Sequence, residues 1–259
     1  MDGKCQPPSV GNEVFDLETD EEEIVQSVVE SGHPIASIQT RRAPELPHDM
    51  GLLAVCAHPD DESFGLGAVI DAFGKAPNQV RLLCFTHGEQ STLGISSRPL
   101  YEVRSEELAA AAAVLGVSAT ILLSYPDGHL ADVAPETLAR DVEEAMSDTQ
   151  ILLVFDEGGI TGHLDHQRAT AAAVLVARLR GLRVVAWTLP DRVAKQLNSE
   201  FATTFVGRNE SDIDLVIEID RGSQRKAIAC HHSQSQDNPV LWRRLELLGN
   251  REYLRWLHE

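Results

Sequence analysis

From Gly51 onward, short apolar runs alternate with stretches of helical periodicity, and this alternation narrows the possible folds more than any other feature. The runs lie at 52–56, 80–85, 120–123, 151–155, 184–187 and 215–219. Runs of that length are strands, and their continuous apolar character suits strands covered on both faces. Helical patterns at 65–73, 101–115, 135–146 and 166–179 fall between them. The expected fold class is α/β: a single domain with a mostly parallel, Rossmann-like sheet, helices on both faces and right-handed connections. A final helical pair is expected at 224–230 and 239–257.

Residues 50–259 form the expected domain, and 1–49 an acidic N-terminal extension, partly flexible at its start. The extension carries an acidic run at 16–23 and a short helical pattern through Ile24, Val25, Val28 and Val29, which Asp20 can cap. Pro44 and Pro47 set it apart from the domain. A formal net charge of −18 repels nucleic acid and anionic membrane surfaces, so neither is an expected partner. Cys5, Cys56, Cys84 and Cys230 form no C-x-x-C pair, which argues against a thiolate zinc cluster and for a reducing compartment. No stretch approaches the roughly 18 apolar residues of a membrane helix, and Met1-Asp2-Gly3-Lys4 lacks signal-peptide character. The expected location is cytoplasmic.

Chemistry gathers behind two of the apolar runs. Ala57-His58-Pro59-Asp60-Asp61-Glu62 follows the first, and Gly162-His163-Leu164-Asp165-His166 follows the run at 151–155. Ligands of open α/β sheets bind outside the carboxyl ends of strands. Ionisable groups delivered there are costly to bury without a role. His58 and one of the two aspartates can hold a divalent ion, and the other carboxylate remains as a base. A histidine from the second motif closes a His/Asp/His set with an open coordination position, the layout of a catalytic zinc site. His163 and His166 are three apart, as on one helical turn, so one can bind metal while the other faces substrate. Asp165 is placed to orient a histidine ring. Each motif alone is weak. Their joint occurrence, each behind a buried strand, is specific. Gly65-Leu66-Gly67 lacks the third glycine of a dinucleotide fingerprint.

At these residues the chain resembles the LmbE-like, or PIG-L, family of zinc-dependent de-N-acetylases, over about 51–257. Ala57–Glu62 matches the family's first motif in full. His163-Leu164-Asp165-His166 matches its His-Pro-Asp-His motif, with Leu164 in place of proline. Thr86-His87-Gly88-Glu89, Arg104-x-x-Glu107, Tyr125-Pro126-Asp127-Gly128 and His231-His232-Ser233-Gln234 resemble weaker family patterns in the same order. The resemblance implies that His58, Asp61 and His166 bind Zn2+, with Fe2+ as the alternative. It implies that Asp60 is the general base, that His163 stabilises the oxyanion and assists amine departure, and that Asp165 orients a histidine. Arg104 and Asp127 fall where family members contact sugar hydroxyls. Thr161 stands where the thiol-biosynthesis members carry tyrosine. The expected reaction is removal of the N-acetyl group from an N-acetylglucosamine-type sugar conjugate, a small-molecule partner. An amidase for larger acyl groups is the near alternative. A non-haem iron oxygenase, with His58 and Asp60 as ligands, and a non-catalytic sugar-binding protein are the distant ones. Glu62 is expected to make outer hydrogen bonds, and His231 to be structural.

Overall fold

The computed structural model describes residues 50–74, 80–93 and 96–259; the expected N-terminal extension lies outside them. The apolar runs become strands β1 (Gly51–Cys56), β2 (Val80–Thr86), β3 (Ala119–Tyr125), β4 (Thr149–Phe155), β5 (Arg183–Thr188) and β6 (Leu215–Glu218). With β7 (Arg251–His258) they form one sheet in the order β3-β2-β1-β4-β5-β7-β6. Pairing is parallel from β3 through β5, while β7 runs antiparallel to both its neighbours. The mostly parallel α/β sheet expected from the sequence is what forms.

Both faces of the sheet are buried, which explains the continuous apolar runs. Along β1, Leu52, Ala54 and Cys56 join one core cluster, while Leu53 and Val55 join the other. The first cluster is completed by helices α2 (Gly67–Gly74) and α3 (Leu100–Val114), which follow the short helix α1 (Asp61–Phe64). The second is completed by α4 (Pro135–Ala145) and α5 (Leu164–Arg180). Ala169, Ala172, Ala173 and Ala177 form the buried stripe of α5, and their small side chains let it lie close against the strands. The longer helices that follow are α6 (Asp191–Phe201), α7 (Gly222–Cys230) and α8 (Pro239–Leu248). Among the described residues, no helix is long and apolar enough to cross a membrane.

The expected helix at 239–257 is corrected. It stops at Leu248, Gly249 adopts φ +58, and the chain turns into β7 between β5 and β6. The Gly249-Asn250 step is a helix stop signal that the apolar periodicity through Leu254 and Leu257 concealed. Trp256, expected in a helical pattern, therefore lies on a strand. Helix α6 was not expected from the sequence.

The strand order places the site. From β1 the chain moves to β2 and β3 on one side; β4 and β5 extend the other. The crevice between β1 and β4 is a topological switch point, where loops diverge and a ligand can enter. The first motif leaves β1 there, and the second follows β4.

Candidate active site

The loop after β1 is built around Asp61. Its Oδ2 accepts from the backbone N–H of Ala57 at 3.0 Å and of His58 at 2.9 Å. That fixes the carboxylate and leaves Oδ1 3.1 Å from His166 Nε2. Asp60 sits at φ 111, a left-handed conformation that costs a non-glycine residue of order 1–3 kcal/mol. Its neighbours hold it there. The Asp60 N–H donates to Glu62 Oε2 at 3.0 Å, and Arg104 donates to Asp60 Oδ2 at 2.8 Å and to the carbonyl of Pro59. Arg104 also donates to the carbonyl of Gly88, where an added Cβ would collide with the guanidinium. Glu62 is fully buried, and its Oε1 accepts from His231 Nε2 at 2.6 Å. Glu62 and His231 thus have the outer and structural places expected of them.

The second motif is also held in strained backbone. Ile160 takes φ 63 in the turn after β4, unusual for a β-branched residue. The Gly159 carbonyl faces His166 Nδ1 at 3.1 Å. His163 caps α5, its Nδ1 accepting from the Asp165 N–H at 3.2 Å. Asp165, with no exposed surface, accepts from the N–H groups of Gly128 and Leu130 and faces His58 Nε2 at 3.3 Å. Asp127 Oδ1 approaches the same His58 nitrogen at 3.1 Å.

These partners assign the tautomers. His58 carries its proton on Nε2, between two carboxylates. His166 carries its proton on Nδ1, toward a carbonyl. The remaining nitrogens, His58 Nδ1 and His166 Nε2, then face each other at 3.2 Å, beside Asp61 Oδ1. With His58 neutral, three lone-pair atoms converge there with no proton among them; in the absence of an ion the second proton of His58 takes that place. Two ligands about 2.0–2.1 Å from a shared tetrahedral ion stand roughly 3.3 Å apart, so a divalent ion fits this set. A second cluster of His58, His163 and Asp165 is less suited to an ion. There Asp165 is occupied by backbone donors and His163 Nδ1 by the Asp165 amide.

The electrostatics agree. Burial opposes protonation of His58, but its hydrogen bonds to Asp127 and Asp165 outweigh that and push its pKa up to about 10. The spot demands a positive charge, which a proton or a metal ion can supply. Burial works to raise Asp61, yet His166 and His58 hold it far below the usual carboxylate range. Asp60 moves the other way. Burial, opposed by Arg104 and reinforced by the Asp61 charge, pushes its pKa up to about 6. His163 is lowered by burial and by the neighbouring His58 and His166, which favours its neutral form.

A cavity of about 370 Å³ opens over these groups. His58, Asp60, Asp61, His163 and His166 line it, with Arg104 and Asp127. Asp165 lies behind, as a residue that orients His58 must. Two positions differ in emphasis from their expectation as sugar contacts. Arg104 is only 3% exposed and is engaged with Asp60 and two carbonyls, and Asp127 is engaged with His58. Gln90, Ser91 and Gln234 also line the cavity and were not singled out from the sequence. Only Gln234 carried a signal there, as the end of the His231–Gln234 pattern.

A family model described as PIG-L, GlcNAc-PI de-N-acetylase, matches residues 53–178, spanning both motifs. Over those residues the chain is similar to the PIG-L family. A 1D-myo-inositol 2-acetamido-2-deoxy-alpha-D-glucopyranoside deacetylase from Kineococcus radiotolerans is 32% identical over 180 residues, 56% of this chain and 50% of that protein. The chain thus spans about half the length of that relative. An N-acetylglucosaminyl-phosphatidylinositol de-N-acetylase from Bos taurus is 27% identical over 217 residues, 78% of this chain and 80% of that one. Among solved structures, a deacetylase of teicoplanin biosynthesis shares the fold with TM-score 0.60 and 18% identity, covering 80% of this chain and 97% of that one. A 4-carboxy-2-hydroxymuconate hydratase from Pseudomonas putida also reaches 0.60, at 17% identity, covering 81% and 96%. Likeness of fold therefore does not choose the reaction; the side chains of this chain's site must do so.

Proposed function

We propose that this protein, like the PIG-L proteins it resembles, hydrolyses the N-acetyl group of an N-acetylglucosamine-type conjugate, with a divalent ion, zinc first, held by His58, Asp61 and His166. The convergence of three lone-pair atoms beside the strained carboxylate of Asp60 carries this reading. An ion held there supplies a Lewis acid that polarises a carbonyl and acidifies water.

The chain's own residues do the rest. Asp60 takes a proton from the attacking water as the new C–O bond forms. Its raised pKa makes it a stronger base than an ordinary carboxylate while leaving it ionised at neutral pH. His163 has its Nδ1 occupied by the Asp165 amide, so its proton sits on Nε2, available to the developing oxyanion. The C–N bond then breaks, and the amine leaves with the proton that Asp60 collected. Arg104 holds Asp60 in place, and Asp127 and Asp165 hold His58. An oxygenase using His58 and Asp60 as ligands is disfavoured, because Asp61 and not Asp60 faces His166.

The direct test is incubation of the zinc-loaded protein with a panel of N-acetylated sugars, reading freed primary amine by fluorescence. Amine release that stops on chelation is expected; no release from any member of the panel overturns the proposal.

Two narrower outcomes follow. Because the base must be ionised, kcat/KM should fall about tenfold per pH unit below about 6, rather than near the usual carboxylate value. Metal content measured across the same range separates this limb from loss of the ion. An acid limb at pH 4 or lower would remove the environment of Asp60 from the account. Asp165→Asn should weaken zinc binding by about 10–100-fold. An amide offers one acceptor oxygen where the carboxylate offers two, so the set formed by His58 Nε2 and the Gly128 and Leu130 N–H groups loses an acceptor and the hold on the His58 proton weakens. Titration with zinc under competing chelator measures it, and an unchanged affinity counts against the tautomer assignment.

A further inference from the structure

Behind the candidate cation site, three ionised side chains are sealed in the core. Arg221 is 5% exposed, Arg244 9% and Glu252 not at all. None of them lines the catalytic cavity or takes part in the proton transfers. Buried ion clusters often stabilise a fold no better than apolar residues of the same volume, so their use lies in what they hold in place. Glu252, on β7, accepts from Arg221 through Oε1 and from the Trp187 indole N–H through Oε2, the latter at 2.7 Å. Arg221 also donates to the carbonyls of Gly249 and Arg251 and to Oε1 of Gln224.

These contacts lead to α1, the four-residue helix that carries Asp61. The last carbonyls of a helix have no donor within it. Gln224, on α7 and fully buried, supplies one: its Nε2 donates to the carbonyls of Ser63 at 3.1 Å and Phe64 at 3.3 Å. Because Arg221 holds the amide oxygen, only the NH2 of Gln224 can turn to α1. Arg244, on α8, donates to the same Phe64 carbonyl at 2.8 Å. Its guanidinium also lies over the Trp187 ring, 5.2 Å from the centroid. Trp187 packs on Phe155 with centroids 5.5 Å apart, and Phe155 packs on the ring of His166 at 4.9 Å. Arg244 thus reaches the first motif through a carbonyl and the second through stacked rings.

We propose that Gln224 and Arg244 are positioning residues for the cation site, forming a buried brace that sets the separation of Asp61 and His166. The inference rests on the ligand set of the proposed function and goes beyond it, to side chains that touch neither ion nor substrate. Both residues lie past residue 178, where the family match ends. Asp60 and Asp61 stand at the start of α1, and the Asp60 carbonyl accepts from the Phe64 N–H at 2.7 Å. That bond closes the only turn of the helix, so a shift at Phe64 is passed to Asp61 within the same turn. A metal site tolerates little such error, since its ligand distances must fall within ~0.2 Å of their ordinary values.

The test measures metal binding by the full chain with no substrate present. Gln224→Met and Arg244→Met keep most of the side-chain volume and remove the donors. Each should weaken zinc binding by about tenfold in a titration against a competing chelator, the lower end of what a partner behind a ligand costs. With cobalt in place of zinc, each should shift the visible d–d absorption bands, which report ligand geometry. Val142→Ala, in the opposite core cluster, is the control. It should lower the melting temperature while zinc affinity and the cobalt bands stay those of the parent. If Gln224→Met or Arg244→Met behaves as Val142→Ala does, with zinc affinity within about twofold of the parent and unmoved cobalt bands, the cluster is merely structural and the brace is overturned. Weakened metal binding in these variants supports the brace even where the parent frees no amine, a result that would sink only the deacetylase reading. Parent-like zinc affinity in both variants of an active deacetylase sinks the brace alone. A parent that binds neither ion overturns the ligand set and the brace together.

Discussion

Substituting Asp60 by asparagine is expected to lower turnover by about 10²–10⁴-fold, the usual contribution of a positioned general base, with the zinc stoichiometry expected to stay unchanged. Asparagine is the informative choice. It tolerates positive φ better than alanine, so the backbone at φ 111 is retained. Its carbonyl oxygen can still accept from Arg104, and His58, Asp61 and His166 are untouched. Only the proton acceptor is lost. Steady-state rates together with metal analysis decide the matter, and amine release within a few-fold of the unaltered protein would remove Asp60 as the base. The same variant carries a stability signature. The folded pKa of Asp60, about 6, lies above its usual 3.8, so the folded state binds that proton more tightly than the unfolded chain does. The resulting stabilisation is present below about pH 4 and is lost as pH rises through about 6. A neutral amide escapes that loss. The metal-free variant should therefore melt higher than the parent at pH 7, by about 2–4 °C per kcal/mol recovered, and with little difference at pH 3.

His166→Ala is expected to weaken zinc binding by more than the ~10–100-fold that an outer partner such as Asp165 costs, because it removes a donor atom rather than its support. It also leaves the Gly159 carbonyl and Asp61 Oδ1 without their shared partner. Metal content after dialysis, with a competition titration, measures the loss. Retention of one zinc per chain at the parent's affinity would mean that the ligand set is drawn wrongly. Activity alone cannot make that distinction, since Asp60→Asn and His166→Ala are both expected to silence turnover. The two variants separate only when metal content is read beside rate.

The two motifs were legible because each follows a continuous apolar run, and a strand buried on both faces can end in only a few places. Residue type and strand ends called for a His/Asp/His set, and it was the family resemblance that implied His58, Asp61 and His166 within it. The proton-holding partners were harder to read. Asp165 was expected to orient a histidine, but sequence distance could not say that the histidine is His58, 107 residues away. Asp127 was expected at a sugar hydroxyl, yet it stands at the same His58 nitrogen, because the loop after β3 crosses the switch point. Arg104 shows the same limit. Its place in the Arg-x-x-Glu pattern marked it for the site, but only the fold shows its guanidinium reaching Pro59, Asp60 and Gly88 at once. The strand at 251–258 was missed for a local reason, since its apolar residues continue the spacing of the helix before Gly249.

Strand β7 comes late in the chain yet lies inside the sheet, between β5 and β6. A fragment cut at residue 178, where the family match stops, would carry every donor atom of the proposed cation site. It would nevertheless lack β5, β6 and β7, and the imidazole of His231 that braces Glu62 behind the strained aspartate. Such a piece would leave β4 as a raw border, a template for sticking to other chains. Expression strategies that trim this protein to its recognisable motifs should thus yield insoluble material rather than a minimal catalyst.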